Sequence, residues 1–342
     1  MALIKLNNRS SEDTAIHGRR NLIINGAMQV AQRGTSVTGK TDLSYHTVDR
    51  WQSVSSGSTY NQSQQAVTLG DSTIGDFKYF LRHEVTTSND FAGILYKIED
   101  VQSVPEGVVT LSFYAKGTNP GGGSLQLRGR QNFGSGGSPS SEVIENAQSL
   151  VLTSSWQRFT YQITVPSILG KNLGTTANTS YYRIDFQQPG VDDTTDAWTL
   201  DITGVQLEVG DTATPFEHRS YGEELSLCQR YYYNHITAGS GQEALVTTAT
   251  SYNTTSAYCG VRFPVTMRTI PTIRQYDATD VWQYYNNNQS DRFDSFSMFG
   301  ANQSTTNQAM INNGQGMSIT AGQSGNFQGG NSACYLHFDA EL

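Results

Sequence analysis

Aromatic rings and neutral amides crowd together between positions 276 and 299. Tyr276, Trp282, Tyr284, Tyr285, Phe293 and Phe296 stand there beside Asn286, Asn287, Asn288, Gln289 and Asp291. Rings stack on the apolar faces of a pyranose, while amides and carboxylates grip its hydroxyls, so the chemistry is recognition without bond breaking. Trp282, Tyr284, Tyr285, Asn287, Asp291 and Phe293 are the candidate glycan-binding residues. The same rings also suit a packed core between subunits. Strand alternation puts Trp282 and Tyr284 on one face and Tyr285 on the other, so one face can be core and the other exposed.

Residues able to catalyse are hard to assemble. There is no Gly-x-Ser-x-Gly elbow, and the six histidines lack an evident orienting partner. No His-x-x-x-His or paired cysteines offer a zinc site. The run Gly117–Gly123 lacks the lysine and helix start of a phosphate loop and reads as a hairpin. His218, between Glu217 and Arg219, reads as structural or surface. Glycosidases need two carboxyl groups roughly 5–9.5 Å apart, and Asp185 with Asp192, Asp193 and Asp196 are the candidates. The plainer reading of that group is a solvated acidic loop. The expectation is therefore no catalytic residue and no enzyme activity.

The elements that must position these side chains are strands. Charged residues are only 15% of the 342, so Ser, Thr, Asn, Gln and Gly supply the polar surface, as in many extracellular β-proteins. Net charge is −8, the last lysine is Lys171, and Arg292 is the only Lys or Arg after Arg274. That distribution argues against phosphate-driven nucleic-acid binding. No apolar run reaches bilayer length and no signal peptide is evident, so neither membrane insertion nor secretion is expected. Cys228, Cys259 and Cys334 read as buried free thiols.

Residues 1–19 form an unpatterned arm. Residues 20–217 read as short strands between Gly-rich turns: Leu22–Ile24, Val48–Val54, Phe77–Val85, Phe91–Ile98, Val108–Ala115, a strand from Leu125, Trp156–Val165, Tyr181–Phe186 and Ala197–Val209, with Gly204 a bulge. This predicts a jelly-roll β-sandwich. A short linking helix covers 218–230, with Ser220 as N-cap, Glu223 in a capping box, and Leu225, Leu227 and Cys228 as its apolar stripe. Residues 231–342 form a second β-sandwich or β-tip. The predicted class is all-β, and its edge strands favour an oligomer that hides them.

Two stretches carry a resemblance. RNLIINGAMQVAQRG (Arg20–Gly34) with VDRWQ (Val48–Gln52), and GVQLEVGDTATPFEHRSYGEELSLCQRYYY (Gly204–Tyr233), resemble the module borders of phage tail-fibre and tail-associated proteins, notably of marine and cyanobacterial phages. FPVTMRTIPTI (Phe263–Ile273) resembles tail-fibre C-terminal domains. The strand order, with Asn21–Met28, Val108–Lys116, Trp156 and Leu200-Asp201-Ile202, is similar to carbohydrate-binding-module sandwiches. In that family a calcium often staples the first strand to the last. Asp201 matches the closing acid, but Met28-Gln29 stands where an opening acid is usual, so the ligand set is short by one.

The resemblance implies a non-catalytic virion protein: a homotrimeric tail fibre docked to other tail or virion proteins by its N-terminal arm and binding host surface polysaccharide through its C-terminal domain. A second reading is a head-decoration, adaptor or baseplate-peripheral protein without a receptor role. A third, a polysaccharide-cleaving enzyme, lacks an identifiable catalytic set. No cofactor is expected beyond that candidate calcium.

Overall fold

Alternation of apolar and polar residues dictates most of the architecture. The computed structural model describes residues 20–342 except 122, 146, 189–195, 238–243, 277, 287–288, 299–303, 315–316 and 331–333. The expected arm lies outside the described residues. The chain divides into two compact units, one of residues 1–221 with Leu342 and one of residues 222–341.

The first unit is a β-sandwich. Its strands are β1 (Ser36–Lys40), β2 (Ser44–Tyr45), β3 (Trp51–Ser56), β4 (Thr59–Ala66), β5 (Tyr79–Thr87), β6 (Phe91–Glu99), β7 (Gly107–Thr118), β8 (Leu125–Asn132), β9 (Val143–Ile144), β10 (Gln148–Leu150), β11 (Gln157–Val165), β12 (Tyr181–Gln187) and β13 (Trp198–Val209). One sheet runs β1-β4-β5-β13-β7-β11. The other runs β10-β8-β12-β6-β3-β2, with β9 also paired to β8. All these pairings are antiparallel.

Strands such as β8 give every second side chain to the interior. Val109, Leu111, Phe113 and Ala115 of β7 meet Tyr182, Ile184 and Phe186 of β12 and Ile94 and Tyr96 of β6 in one cluster. Full burial of one such side chain is worth roughly 1.5–3 kcal/mol, so this cluster dominates the stability of the unit. The expected bulge is present: the β13–β7 register shifts between Thr203 and Gln206, and Gly204 takes φ 61°. A side chain at Gly204 would also strike the Phe77 ring, 2.6 Å from an added Cβ.

Helix α1 (Tyr221–Gln229) follows, with Glu223 and Glu224 in its first turn where the helix dipole favours acids. Of its expected apolar stripe only Cys228 is fully buried; Leu225 and Leu227 are half-buried. The second unit comprises β14 (Tyr232–Ile236), β15 (Leu245–Ser251), β16 (Ala257–Arg262), β17 (Thr272–Gln275), β18 (Trp282–Asn286), β19 (Gln289–Phe293), β20 (Phe296–Met298), β21 (Gln308–Asn313), β22 (Ser324–Gly329) and β23 (Leu336–Asp339). They form a three-stranded sheet, β14-β23-β17, and a seven-stranded sheet, β19-β18-β22-β15-β16-β21-β20. Both sheets contribute to one hydrophobic cluster, which agrees with a sandwich.

One expected strand is corrected. Residues 22–24 form no strand: Leu22 N donates to Leu207 O, while Ile23 N and Ile24 N donate to the Asn21 and Tyr96 side chains. In the second unit, Met317 and Ile319 donate backbone hydrogen bonds to the carbonyls of Thr255 and Thr254. Cys228, Cys259 and Cys334 are buried and in no disulfide.

Candidate functional site

The structure disperses the ring-and-amide cluster of the second unit. Trp282, Tyr284 and Phe293 are essentially fully buried. Trp282 packs on Phe296 at 4.9 Å between ring centroids, and Phe293 packs on Phe327 at 5.3 Å. Their faces are covered by protein, so these three are core residues and not sugar platforms. The reason lies in the alternation itself: β18 turns Trp282 and Tyr284 inward and Tyr285 outward, and Tyr285 is 44% exposed. Asp291 is half-buried and accepts backbone N–H groups of Arg292 and Ser318, so its carboxylate holds two chain segments together. Asn287 lies outside the described residues.

The motif residues that carried the tail-fibre resemblance meet as a clasp in the first unit. Asn21 is buried; its Oδ1 accepts from Ile23 N at 2.9 Å and from Leu207 N at 3.1 Å, and its Nδ2 donates to Val205 O at 3.1 Å. Glu217 accepts from Asn21 N at 2.8 Å, while Arg219 donates to the carbonyls of Asn21 (2.6 Å) and Ile23 (3.0 Å). Gln206 Oε1 accepts Glu217 N at 2.8 Å, and Glu208 accepts Thr214 N at 2.9 Å. Asn25, in the left-handed region at φ 59°, reaches Val30 and Asp49 carbonyls, and Trp51 Nε1 donates to Asn25 O at 3.2 Å. These residues satisfy backbone groups that would otherwise be buried without partners. Their work is closing the sandwich. His218 is exposed, and its ring packs on Phe216 and Phe77.

The calcium expectation does not fit. Asp201 is bound bidentately by Arg82, Nε to Oδ1 and Nη2 to Oδ2 both at 2.8 Å, with Lys116 Nζ at 4.0 Å. A divalent cation there would have to displace a guanidinium, and no cluster of three acidic, His or Cys ligands exists among the described residues.

Among the described residues, the acidic candidates Asp185 and Asp196 do not form a hydrolytic pair. Asp185 is buried between Arg130 (Nε to Oδ2, 2.5 Å) and Arg183 (Nε to Oδ1, 2.7 Å). Asp196 is exposed, and Asp192 and Asp193 lie outside the described residues. A carboxyl that sequence reading missed is Glu145. Burial raises it to about 7, against the opposing hydrogen bonds from Tyr182 Oη at 3.0 and 2.9 Å. Tyr182 and Asp185 leave β12 on opposite faces, so Glu145 and Asp185 do not flank one ligand.

A concavity does exist on the first unit. A cleft of about 400 Å³ is lined by Gln29, Ala31, Gln64, Lys78, Tyr79 and Tyr221, within the size range of small-ligand sites. Tyr79 opens β5 opposite Ala66, the end of β4, and Gln64 lies two residues back on that strand. The Gln64 amide donates to Met28 O at 2.6 Å and to Gln29 O at 3.2 Å, so its carbonyl end stays oriented beside the cleft. Tyr221, at the start of α1, is 56% exposed, Lys78 is exposed, and Tyr79, Gln29 and Gln64 are half-buried. The lining thus combines two phenol rings, two amides and one ammonium, and it has no carboxylate, imidazole or thiol. Such a cleft can grip a hydroxylated ligand through its rings, amides and ammonium. These residues come from far-separated stretches, so no local spacing could have pointed to them.

No family model matches the chain, and no curated protein matches it. Among solved structures, the chain is similar to a CBM4 module at 20% identity, over 46% of this chain and 94% of that one, with a TM-score of 0.29. It is similar to the N-terminal cellulose-binding domain of Cellulomonas fimi β-1,4-glucanase C at 16% identity, over 54% and 100%, with a TM-score of 0.32. It is also similar to the enzymatically active domain of tailspike protein 4 of bacteriophage CBA120 at 14% identity, over 55% and 21%, with a TM-score of 0.33.

Proposed function

We propose that this chain is a non-catalytic glycan-binding protein of a phage virion, a homotrimeric tail fibre that attaches to host surface polysaccharide. The observation that carries the glycan reading is the cleft of the first unit. Its two tyrosines, two glutamines and one lysine offer stacking faces and hydrogen-bond donors and acceptors for hydroxyls. This moves the proposed sugar contact from the second unit to the sandwich. The virion reading is supported by the resemblance of residues 20–34, 48–52 and 204–233 to tail-fibre borders and by the charge-poor surface. Threefold assembly would hide edge strands and multiply weak contacts, since linked sites gain avidity without new chemistry.

The test is binding of the full chain to a panel of neutral and acidic polysaccharides from bacterial envelopes, with the variants Tyr221→Ala and Tyr79→Ala. Binding by the native chain, weakened in both variants with unchanged melting temperature, supports the reading. A chain that binds no polysaccharide but co-assembles with virion proteins supports a purely bracing role instead. Release of shorter oligosaccharides from the panel would show an enzyme.

A further inference from the structure

The cleft of the first unit is unevenly supplied with charge. Its lining carries one full charge, the Lys78 ammonium, and no carboxylate to balance it. Val67 N donates to Lys78 O at 2.9 Å, which extends the hairpin one step beyond the Ala66–Tyr79 pair and fixes the Lys78 backbone. The Lys78 side chain is exposed, and among the described residues it has no hydrogen bond, ion pair or ring contact. Several other cations of this unit are engaged. Arg33 pairs with Asp49 at 3.4 Å, Arg82 with Asp201 at 2.8 Å, Arg130 and Arg183 share Asp185, and Lys116 lies 5.0 Å over the Trp156 ring.

The polar groups around Lys78 are equally unspent. The side-chain amide of Gln29 and the hydroxyls of Tyr79 and Tyr221 hydrogen-bond to no described residue. Gln64 uses its Nε2 on the Met28 and Gln29 carbonyls, which leaves Oε1 as an acceptor and fixes the backbone that carries Gln29. One ammonium, two hydroxyls and two amides therefore open on a single accessible cleft of about 400 Å³.

A ligand that fills the cleft takes water from the ammonium. A neutral hydroxyl can accept its hydrogen bond but leaves the charge uncompensated, and removing water from an unpaired charge is costly. An anionic group accepts the same bond with charge assistance, at roughly twice the strength of a neutral pair. An ammonium is a point charge without the fork of a guanidinium, so it serves a carboxylate and a sulfate ester alike. We infer that the cleft takes an acidic saccharide, with Lys78 on its anionic substituent, the tyrosine rings on its apolar face and the amides on its hydroxyls. The inference deepens the reading of the cleft as the sugar site and rests on it.

The experiment uses the full chain and three probes of like length: an oligogalacturonate, its carboxyl-reduced neutral counterpart, and a sulfated galactan oligosaccharide. Affinity is measured by calorimetry at low and high salt for the native chain, Lys78→Gln, Lys78→Arg, Lys171→Gln and Tyr221→Ala. At low salt at least one acidic probe is expected to bind about three- to tenfold more tightly than the neutral one, the range for a charge-assisted bond to a solvent-facing ammonium. The acidic probe that is preferred assigns the anionic group. High salt narrows the preference, because exposed charges are screened. Lys78→Gln abolishes it, and Lys78→Arg keeps most of it by keeping the charge. Lys171 is exposed and outside the lining, so Lys171→Gln, with the same change in net charge, leaves the preference in place. Tyr221→Ala weakens all binding probes alike. Equal affinity for acidic and neutral probes, both weakened in Tyr221→Ala, overturns the inference and keeps the cleft as a site for neutral sugars. A preference that survives Lys78→Gln, or that falls as far in Lys171→Gln, overturns it as well. Binding of none of the three probes also overturns it, while the cleft itself is judged on the envelope panel.

Discussion

His83 should make the first unit sensitive to mild acid. Its ring is fully buried between Tyr60, 4.9 Å away, and Trp198, 5.6 Å away. Neither ring nitrogen has a hydrogen-bond partner. Burial, with a smaller contribution from His46, depresses its pKa to about 3. The unfolded chain takes up the proton near its ordinary value of about 6.5, so between those values the unfolded state binds more protons and is favoured as pH falls. The penalty is about 0.2 kcal/mol at pH 7 and about 2 kcal/mol at pH 5, from 1.36 kcal/mol per pH unit. Glu145 acts in the opposite sense. Its pKa is raised to about 7, so it costs stability above its unfolded value and releases that cost as pH falls from 7 towards 4.5. Because Glu145 is partly solvated, its share is discounted to about 1 kcal/mol. The native chain should therefore lose about 1 kcal/mol between pH 7 and pH 5 from these two groups.

Urea unfolding followed by tryptophan fluorescence separates the two. In Glu145→Gln the full loss of about 2 kcal/mol appears, a midpoint shift of about 0.7–1 M for an m-value of about 2–3 kcal/mol/M. In His83→Phe the slope reverses, and stability rises towards pH 5 by about 1 kcal/mol. Other carboxyl groups contribute equally to all three chains and cancel in the comparison. If His83→Phe keeps the native pH slope, the imidazole does not carry a buried-charge penalty and the reasoning is wrong.

Three further outcomes follow from packing. Asn21→Ala strands the N–H groups of Ile23 and Leu207 and the carbonyl of Val205, and should cost about 2–4 kcal/mol in urea unfolding of the first unit. Gly204→Ala forces a left-handed φ on a side chain and drives its Cβ into Phe77; the strain alone is about 1–2 kcal/mol, and a loss of melting temperature should follow. Trp282→Ala should destabilise the second unit by about 3–5 kcal/mol while polysaccharide binding is kept, because its ring is core. A binding loss in Trp282→Ala with unchanged stability would restore that residue as a ligand platform.

Strands with clean alternation were readable in the sequence. Phe91–Ile98, Tyr181–Phe186 and Trp156–Val165 agree with β6, β12 and β11 to within a residue. The strands that were missed have interiors that are not apolar. In β4, TYNQSQQA, Gln62 points inward and is satisfied by Thr47 Oγ1 and Ser53 Oγ, each at 2.8 Å, so a polar core patch hid the period. In β22, SGNFQG, Phe327 alone is a large apolar residue, and the glycines read as turns. The linking helix was visible from Ser220, the capping-box Glu223 and the run Leu225 to Cys228, and α1 covers Tyr221–Gln229. The alternation correctly separated Tyr285 from Trp282 and Tyr284, but composition alone promoted buried rings to candidate ligands. The cleft was illegible because Gln29, Gln64, Tyr79 and Tyr221 meet only once β4 and β5 have paired and the chain has reached α1.

The most direct measurement is a crystal structure of the full chain soaked with the tightest-binding oligosaccharide of the envelope panel. The sugar is expected against Tyr79 and Tyr221, with the amides of Gln29 and Gln64 on its hydroxyls and every glycosidic bond intact. Density for a cleaved product, or a sugar bound only to the second unit while the cleft stays open, would contradict the account.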